Sequence, residues 1–218
     1  VNIVSDSKNA VSVEDLTRYY TDGLSDILAE LGLQTEIIDN PIKGGPPFLI
    51  GKRIESSELK TILLYGHGDT VPLQEGQWFE EIIPNELKVI GDKIYGRGVA
   101  DNKGQHLINL LALLSVLKIR KKLGFNLKIV FEMGEEIGSP GLFDLCEKYK
   151  DYFKSDVLIA SDGPRVAVDV ATVFLGSRGA INFELEAKYR EGAHHSGNWG
   201  GVLRDPGVRL SHALSIIT

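Results

Sequence analysis

The sequence predicts an α/β protein with three layers, a mixed sheet covered by helices on both faces, followed by the start of a smaller α+β domain. Two observations carry this. Between about Ile62 and Ala160, short apolar segments alternate with helical patterns, the order that builds a mixed or parallel sheet. From about Gly176 the texture changes. Ile181, Phe183, Leu185 and Ala187 alternate with Asn182, Glu184, Glu186 and Lys188 across Ala180–Tyr189, the period of a sheet with one exposed face. A domain boundary is therefore expected near Gly176, dividing the chain into residues 1–175 and 176–218.

The elements follow in order. Ser12 and Asp15 form a capping box. Leu16, Tyr20, Leu24, Ile27, Leu28 and Leu31 then recur at helical spacing, with Gly32 as the C-terminal cap. Thr35–Ile38 reads as a short strand, 41–47 as a turn-rich connection, and Phe48–Ile54 and Ile62–Tyr65 as further strands. Lys88–Tyr95 reads as a hairpin closed by Gly91-Asp92. A long helix is expected over 104–121, burying Leu107, Leu110, Leu111, Leu114 and Leu117. After Gly124 come a strand over Asn126–Met133, a helix over 140–153, the apolar strand Val157–Ala160 and, after a Gly-rich loop, a helix from about Val208.

Composition excludes several classes of function. The net charge is -6, and no dense Lys/Arg face invites nucleic acid. The one basic run, Lys118–Lys122, suits the end of a helix. A single cysteine, Cys146, rules out an internal disulfide framework and suits a reducing, cytoplasmic compartment. The longest apolar run, around Leu107–Leu117, is too short to span a bilayer. The chain opens without methionine and stops inside an apparent helix, so a fragment is expected.

The stretch that organises the rest is Leu63–Pro72, LLYGHGDTVP. His67 and Asp69 follow an apolar strand, and on an extended backbone both side chains share one side. An imidazole beside a carboxylate that fixes its tautomer is a common metal-site pairing. Asp101, Glu135 with Glu136, and Asp162 each follow an apolar strand or lie in a Gly-flanked turn. In an open α/β sheet, ligand-binding residues converge at the carboxyl ends of neighbouring strands. Massed carboxylates repel one another unless a cation joins them, so this set calls for metal.

GHGDTVP, GRGVADNKG, MGEEIGSPG and ASDG, in this order, together with HSGNWGG further on, resemble the zinc-dependent family of carboxypeptidase G, acetylornithine deacetylase, succinyl-diaminopimelate desuccinylase, aminoacylases and carnosine-type dipeptidases. The resemblance covers about Ile62 to Asp205. It implies a zinc-exopeptidase-like catalytic domain followed by a lid and dimerisation domain, here truncated. By motif position, His67 resembles the ligand of one metal, Asp101 the carboxylate bridging two, Glu136 a ligand of the second, and Asp162 a ligand sharing a metal with His67. Glu135 resembles the general base, Asp69 the residue behind His67, and His195 a residue that reaches across a dimer to stabilise the oxyanion. A cis peptide at Asp101-Asn102 is implied as well.

The resemblance implies two zinc ions per full-length subunit, with cobalt or manganese as possible substitutes, and a homodimer. The family's second metal-ligating histidine lies beyond this chain. One tight metal at most and little activity are therefore expected here. The expected reaction is hydrolysis of a peptide or amide bond next to a free carboxylate, as by a dipeptidase or carboxypeptidase. N-acyl amino acid deacylation is the alternative, and a catalytically silent binding or scaffold protein the outside one. No nucleic-acid or membrane partner is expected, only a small peptide or N-acyl amino acid. Packing or hydrogen bonding is the reading for His106, a polar loop for His194, a helix surface for His212 and a buried core position for Cys146.

Overall fold

The fold is taken from a computed structural model, which describes residues 2–9, 12–79, 81–167 and 169–217. By internal contacts the chain divides into Val1–Val166 and Ala167–Thr218, so the first unit ends ten residues before the change of sequence texture at Gly176.

In the first unit, Ser12 caps α1 (Val13–Arg18) by accepting from Asp15 N, and its hydroxyl donates to the Asp15 carboxylate. A π-helical turn, Tyr19–Leu24, joins α1 to α2 (Ser25–Glu30). The wide turn buries Tyr19 and Tyr20 side by side. Tyr20 reaches the sheet, donating to Phe131 O at 2.8 Å. Gly32, at φ +66°, ends the helix as expected.

The five-stranded sheet has the order β1 (Gln34–Ile38), β2 (Phe48–Arg53), β6 (Asn126–Glu132), β3 (Thr61–His67), β7 (Val157–Ala160). β1, β2 and β6 pair antiparallel, whereas β6, β3 and β7 run parallel. Alternation along the strands feeds two cores. Leu49, Leu64, Leu127, Ile129 and Phe131 pack with Leu16, Tyr20, Leu24, Leu28 and the long helix α3 (Lys103–Arg120) through Leu110 and Leu114. Ile38, Phe48, Ile50, Leu63 and Val130 pack with Leu145 of α4 (Leu142–Lys148). This is the three-layer mixed α/β arrangement that the sequence predicts. β4 (Lys88–Ile90) and β5 (Lys93–Tyr95) form the expected separate hairpin, with Gly91 at φ +61°.

Several expectations need correction. Leu107 and Leu111 are exposed. They lie about 100° around the helix from His106 and Leu110, which face the sheet. The helix expected over 140–153 is two helices, α4 and α5 (Lys150–Phe153), with Tyr149 between them at φ −109°, ψ 31°. The break lets Tyr152 point its hydroxyl into the sheet, donating to Gly51 O at 2.5 Å. β7, apolar in sequence, is an exposed edge strand. Cys146 is half-buried rather than buried; burial first, then the Glu132 and Glu147 charges, raise its thiol pKa.

In the second unit, Ala180–Tyr189 forms no strand among the described residues. Alternation sets which face a strand would bury, but a ladder needs a second strand to accept its hydrogen bonds. The regular elements described there are only α6 (Ser196–Trp199) and α7 (Pro206–Ile217). His212 is exposed on α7, and His194 sits in a loop with its ring 5.8 Å from that of Trp199. No described helix is long and apolar enough to cross a membrane.

Candidate active site

The site lies at the carboxyl ends of the three parallel strands. β3 is central, between β6 and β7. His67 is its last residue and stands opposite Glu132 of β6, three residues before Glu135. Tyr65 pairs with Ala160 of β7, so Asp162 leaves its strand level with His67. Parallel register alone thus brings together residues distant in sequence.

Glycines on either side of His67 permit the surroundings. A Cβ on Gly66 would stand 2.9 Å from His106 Cβ and 3.1 Å from Asn102 Oδ1, and one on Gly68 would meet the Tyr19 ring and Met133 Sδ, the latter at 2.7 Å. The first turn of α3 and the π-helical turn therefore both press against the strand end.

His67 is fully buried. Its Nδ1 lies 3.2 Å from the Asp69 backbone oxygen and 3.2 Å from Asp69 Oδ1. Its Nε2 is ringed by Asp101 Oδ1 at 3.0 Å, Asp162 Oδ2 at 3.5 Å and Glu135 Oε2 at 3.8 Å. Among the described residues no hydrogen bond of acceptable geometry reaches Nε2, although the atom is buried. A buried nitrogen crowded by anionic oxygens, none in line to accept from it, suits a cation placed between them. His67, Glu135 and Asp162 each offer one ligand atom, all within 4.8 Å of one another. Imidazole and carboxylates are suitable donors for a divalent transition metal.

The electrostatics agree. Burial alone would lower the imidazolium pKa of His67, but the Asp162 and Asp69 carboxylates outweigh it and raise it to about 11. The ring of acids demands positive charge at that point. The Asp162 pKa is lowered by its contact with His67. The Glu135 pKa is raised by burial and, against the opposing His67, by Asp162 and Glu136; that of Glu136 is raised by burial and Asp101.

Asp69 is also fully buried. Its Oδ1 accepts from Glu135 N at 3.1 Å and its Oδ2 from Glu136 N at 3.1 Å and the Ser7 hydroxyl at 2.7 Å. One carboxylate thus holds the imidazole on one side and two consecutive backbone amides on the other. Asp101 is more exposed than its neighbours, and the Asp101-Asn102 peptide is cis.

Sequence reasoning missed the supports behind these residues. Asn102 Oδ1 accepts from His67 N at 3.2 Å, and its amide donates to Ser161 O at 2.5 Å, joining the ends of β3 and β7. Since that oxygen accepts, His106 Nδ1, 3.0 Å away, donates to it, and His106 Nε2 accepts from the Tyr19 hydroxyl at 2.5 Å. The Tyr19 pKa is raised by burial, which keeps that hydroxyl protonated. His106 is therefore a buried, hydrogen-bonded residue, as expected, and a neutral one. In sequence, His106 has a packing or hydrogen-bonding reading and Asn102 lies inside GRGVADNKG, but nothing there marks Tyr19. His195 belongs to the second unit, where it caps α6 by accepting from Gly197 N at 3.1 Å.

Comparison with known proteins gives this site a context. Residues 63–197 match Peptidase family M20/M25/M40, more than half of the chain. A cysteinylglycine-S-conjugate dipeptidase of Corynebacterium striatum is 35% identical over 189 residues, which is 86% of this chain and 40% of that protein. A mouse Beta-Ala-His dipeptidase is 34% identical over 164 residues, 74% of this chain and 33% of the relative. The crystal structure of human carnosine dipeptidase 1 superposes with a TM-score of 0.70 at 28% identity, over 98% of this chain and 47% of that one. The chain thus spans less than half the length of these relatives.

Proposed function

The chain belongs to Peptidase family M20/M25/M40, and we propose that it is a metal-dependent hydrolase of the dipeptidase type, cleaving a peptide or amide bond beside a free carboxylate. The observation that carries this reading is the buried His67 Nε2, faced by Asp101, Asp162 and Glu135 and hydrogen-bonded to none of them. The names of the three relatives described above, each a dipeptidase, favour a peptide over an N-acyl amino acid as substrate.

In this reading His67, Asp101 and Asp162 hold one ion, for which zinc fits the donor set and cobalt or manganese can substitute. Asp101 and Glu136 would serve a second ion. A divalent ion, when bound, polarises the scissile carbonyl and acidifies the attacking water. Glu135 takes the proton from that water and delivers it to the leaving amine. Its pKa, raised by burial and neighbouring acids, moves it toward the range in which a carboxylate can do both. Asp69 fixes the His67 ring and, through the Glu135 and Glu136 amides, the turn that presents the base. His195 is assigned to the oxyanion, in a homodimer, and the single cysteine suits a cytoplasmic setting.

Metal content after dialysis against zinc-free buffer tests the centre. Wild type should retain zinc and His67→Ala should not; equal retention refutes the reading. Assay of β-Ala-His and Cys-Gly against N-acetyl amino acids separates peptidase from deacylase.

A further inference from the structure

Residues 2–9, before α1, have no part in the roles above, yet they are fastened to the loop after β3 at several points. Thr70 N donates to Ser5 O at 3.0 Å, and Asp6 and Thr70 form a parallel bridge. The Ser5 hydroxyl donates to Gly68 O at 2.6 Å, and Lys103 Nζ to Ile3 O at 2.8 Å. Ser5 and Asp6 are buried. Asp6 Oδ1 accepts from Lys8 N and Asn9 N, at 3.0 and 3.2 Å, which shapes the turn that carries Ser7.

Ser7 then donates to Asp69 Oδ2 at 2.7 Å, the shortest hydrogen bond that this carboxylate accepts. An ionised carboxylate has about four acceptor positions. At Asp69 they face Glu135 N and His67 Nδ1 on one oxygen, and Glu136 N and Ser7 Oγ on the other. Because Asp69 is fully buried, a donor removed from this set leaves a buried charge short of a partner. Without the Ser7 hydroxyl, the carboxylate rests on the Glu135 and Glu136 amides alone and is held less firmly beside the His67 ring.

We propose that Ser7 is a positioning residue for the metal centre: its hydroxyl completes the set of donors around Asp69 and so fixes His67 and the Glu135–Glu136 turn together. The inference rests on reading His67 as a metal ligand. Removing a direct partner of a metal-bound histidine costs on the order of 10–100-fold in affinity. Ser7 acts one bond further out, so a loss of about tenfold is expected.

The test is zinc affinity, by competition with a chromophoric chelator, for wild type, Ser7→Ala, Ser7→Thr and His67→Ala, beside the melting temperature of each without metal. Ser7→Ala should bind zinc about tenfold more weakly, and its metal-free melting temperature should fall, because the buried Asp69 carboxylate loses a donor. Ser7→Thr, which keeps the hydroxyl, should recover most of the affinity. Wild-type affinity in Ser7→Ala overturns the proposal, as does an equal loss in Ser7→Thr. If His67→Ala binds zinc as wild type does, the metal reading fails first and the proposal falls with it.

Discussion

Replacing His106 by glutamine should change how stability responds to pH, and the structure sets the size of the change. Burial first, then the His67 and Lys103 charges, lower the pKa of His106 to about 3, against ~6.5 in an unfolded chain. Between those values the unfolded state binds a proton that the folded state refuses, so His106 makes the protein less stable as pH falls. From pH 7.5 to 5.5 the unfolded imidazole goes from mostly neutral to mostly charged, a loss of about 1.4 kcal/mol. His67 has the opposite sign. With its pKa raised to about 11, its stabilisation is complete below ~6.5 and fades as pH rises through that value toward 11. That contribution is common to both proteins and cancels in their difference. Glutamine can donate to Asn102 and accept from Tyr19 as the neutral imidazole does, but it cannot titrate. Urea unfolding of metal-free wild type and His106→Gln at both pH values, followed by circular dichroism, measures the effect. Wild type should lose about 1.4 kcal/mol more than the variant on acidification; equal losses refute a neutral, buried His106.

Other outcomes follow from the same geometry. Glu135→Gln should bind zinc within a few-fold of wild type while peptide hydrolysis, where the protein shows it, falls by at least roughly 100-fold; retained turnover would remove Glu135 as the base. Gly66→Ala puts a methyl group 2.9 Å from His106 Cβ and 3.1 Å from Asn102 Oδ1. It should cost about 1–3 kcal/mol in urea unfolding, and a variant as stable as wild type would show that α3 can retreat. Inductively coupled plasma mass spectrometry after dialysis should find one zinc per chain. In the proposed reading His67, Asp101 and Asp162 give one ion three ligands while Asp101 and Glu136 give a second ion two, so two equivalents retained equally tightly would refute this assignment.

The parts of the fold that were legible in sequence are those with a local cause. β3 and β6 are apolar because they lie inside the sheet with their side chains in the two cores, β7 reads the same way although it is the exposed edge, and each ends where a polar residue or glycine interrupts the run. A parallel sheet then aligns those interruptions, so the convergence of His67, Glu135 and Asp162 could be expected before any coordinate. Other features depend on partners that no window of sequence contains. Alternation in Ala180–Tyr189 predicts a strand, yet period alone cannot supply a ladder. Leu107 and Leu111 are as apolar as Leu110 and Leu114, and only the sheet's position decides which pair it covers. The π-helical turn that brings Tyr19 to His106 leaves no mark in the spacing of leucines.

The same distinction explains why the acids of the site were easier to find than the groups that aim them. A carboxylate at a strand end is conspicuous, and Glu135 beside Glu136 suggests two roles because adjacent side chains diverge. What fixes that divergence is the backbone: the two consecutive amides donate to the two oxygens of one buried carboxylate, Asp69. Rotating Asp69 would disturb its contacts with the Glu135 and Glu136 amides and with the His67 ring together, so the three cannot be tuned separately. A serine 62 residues away in sequence closes that arrangement. Its contribution lies wholly in a contact through space, which is why a residue without any motif belongs with those that have one.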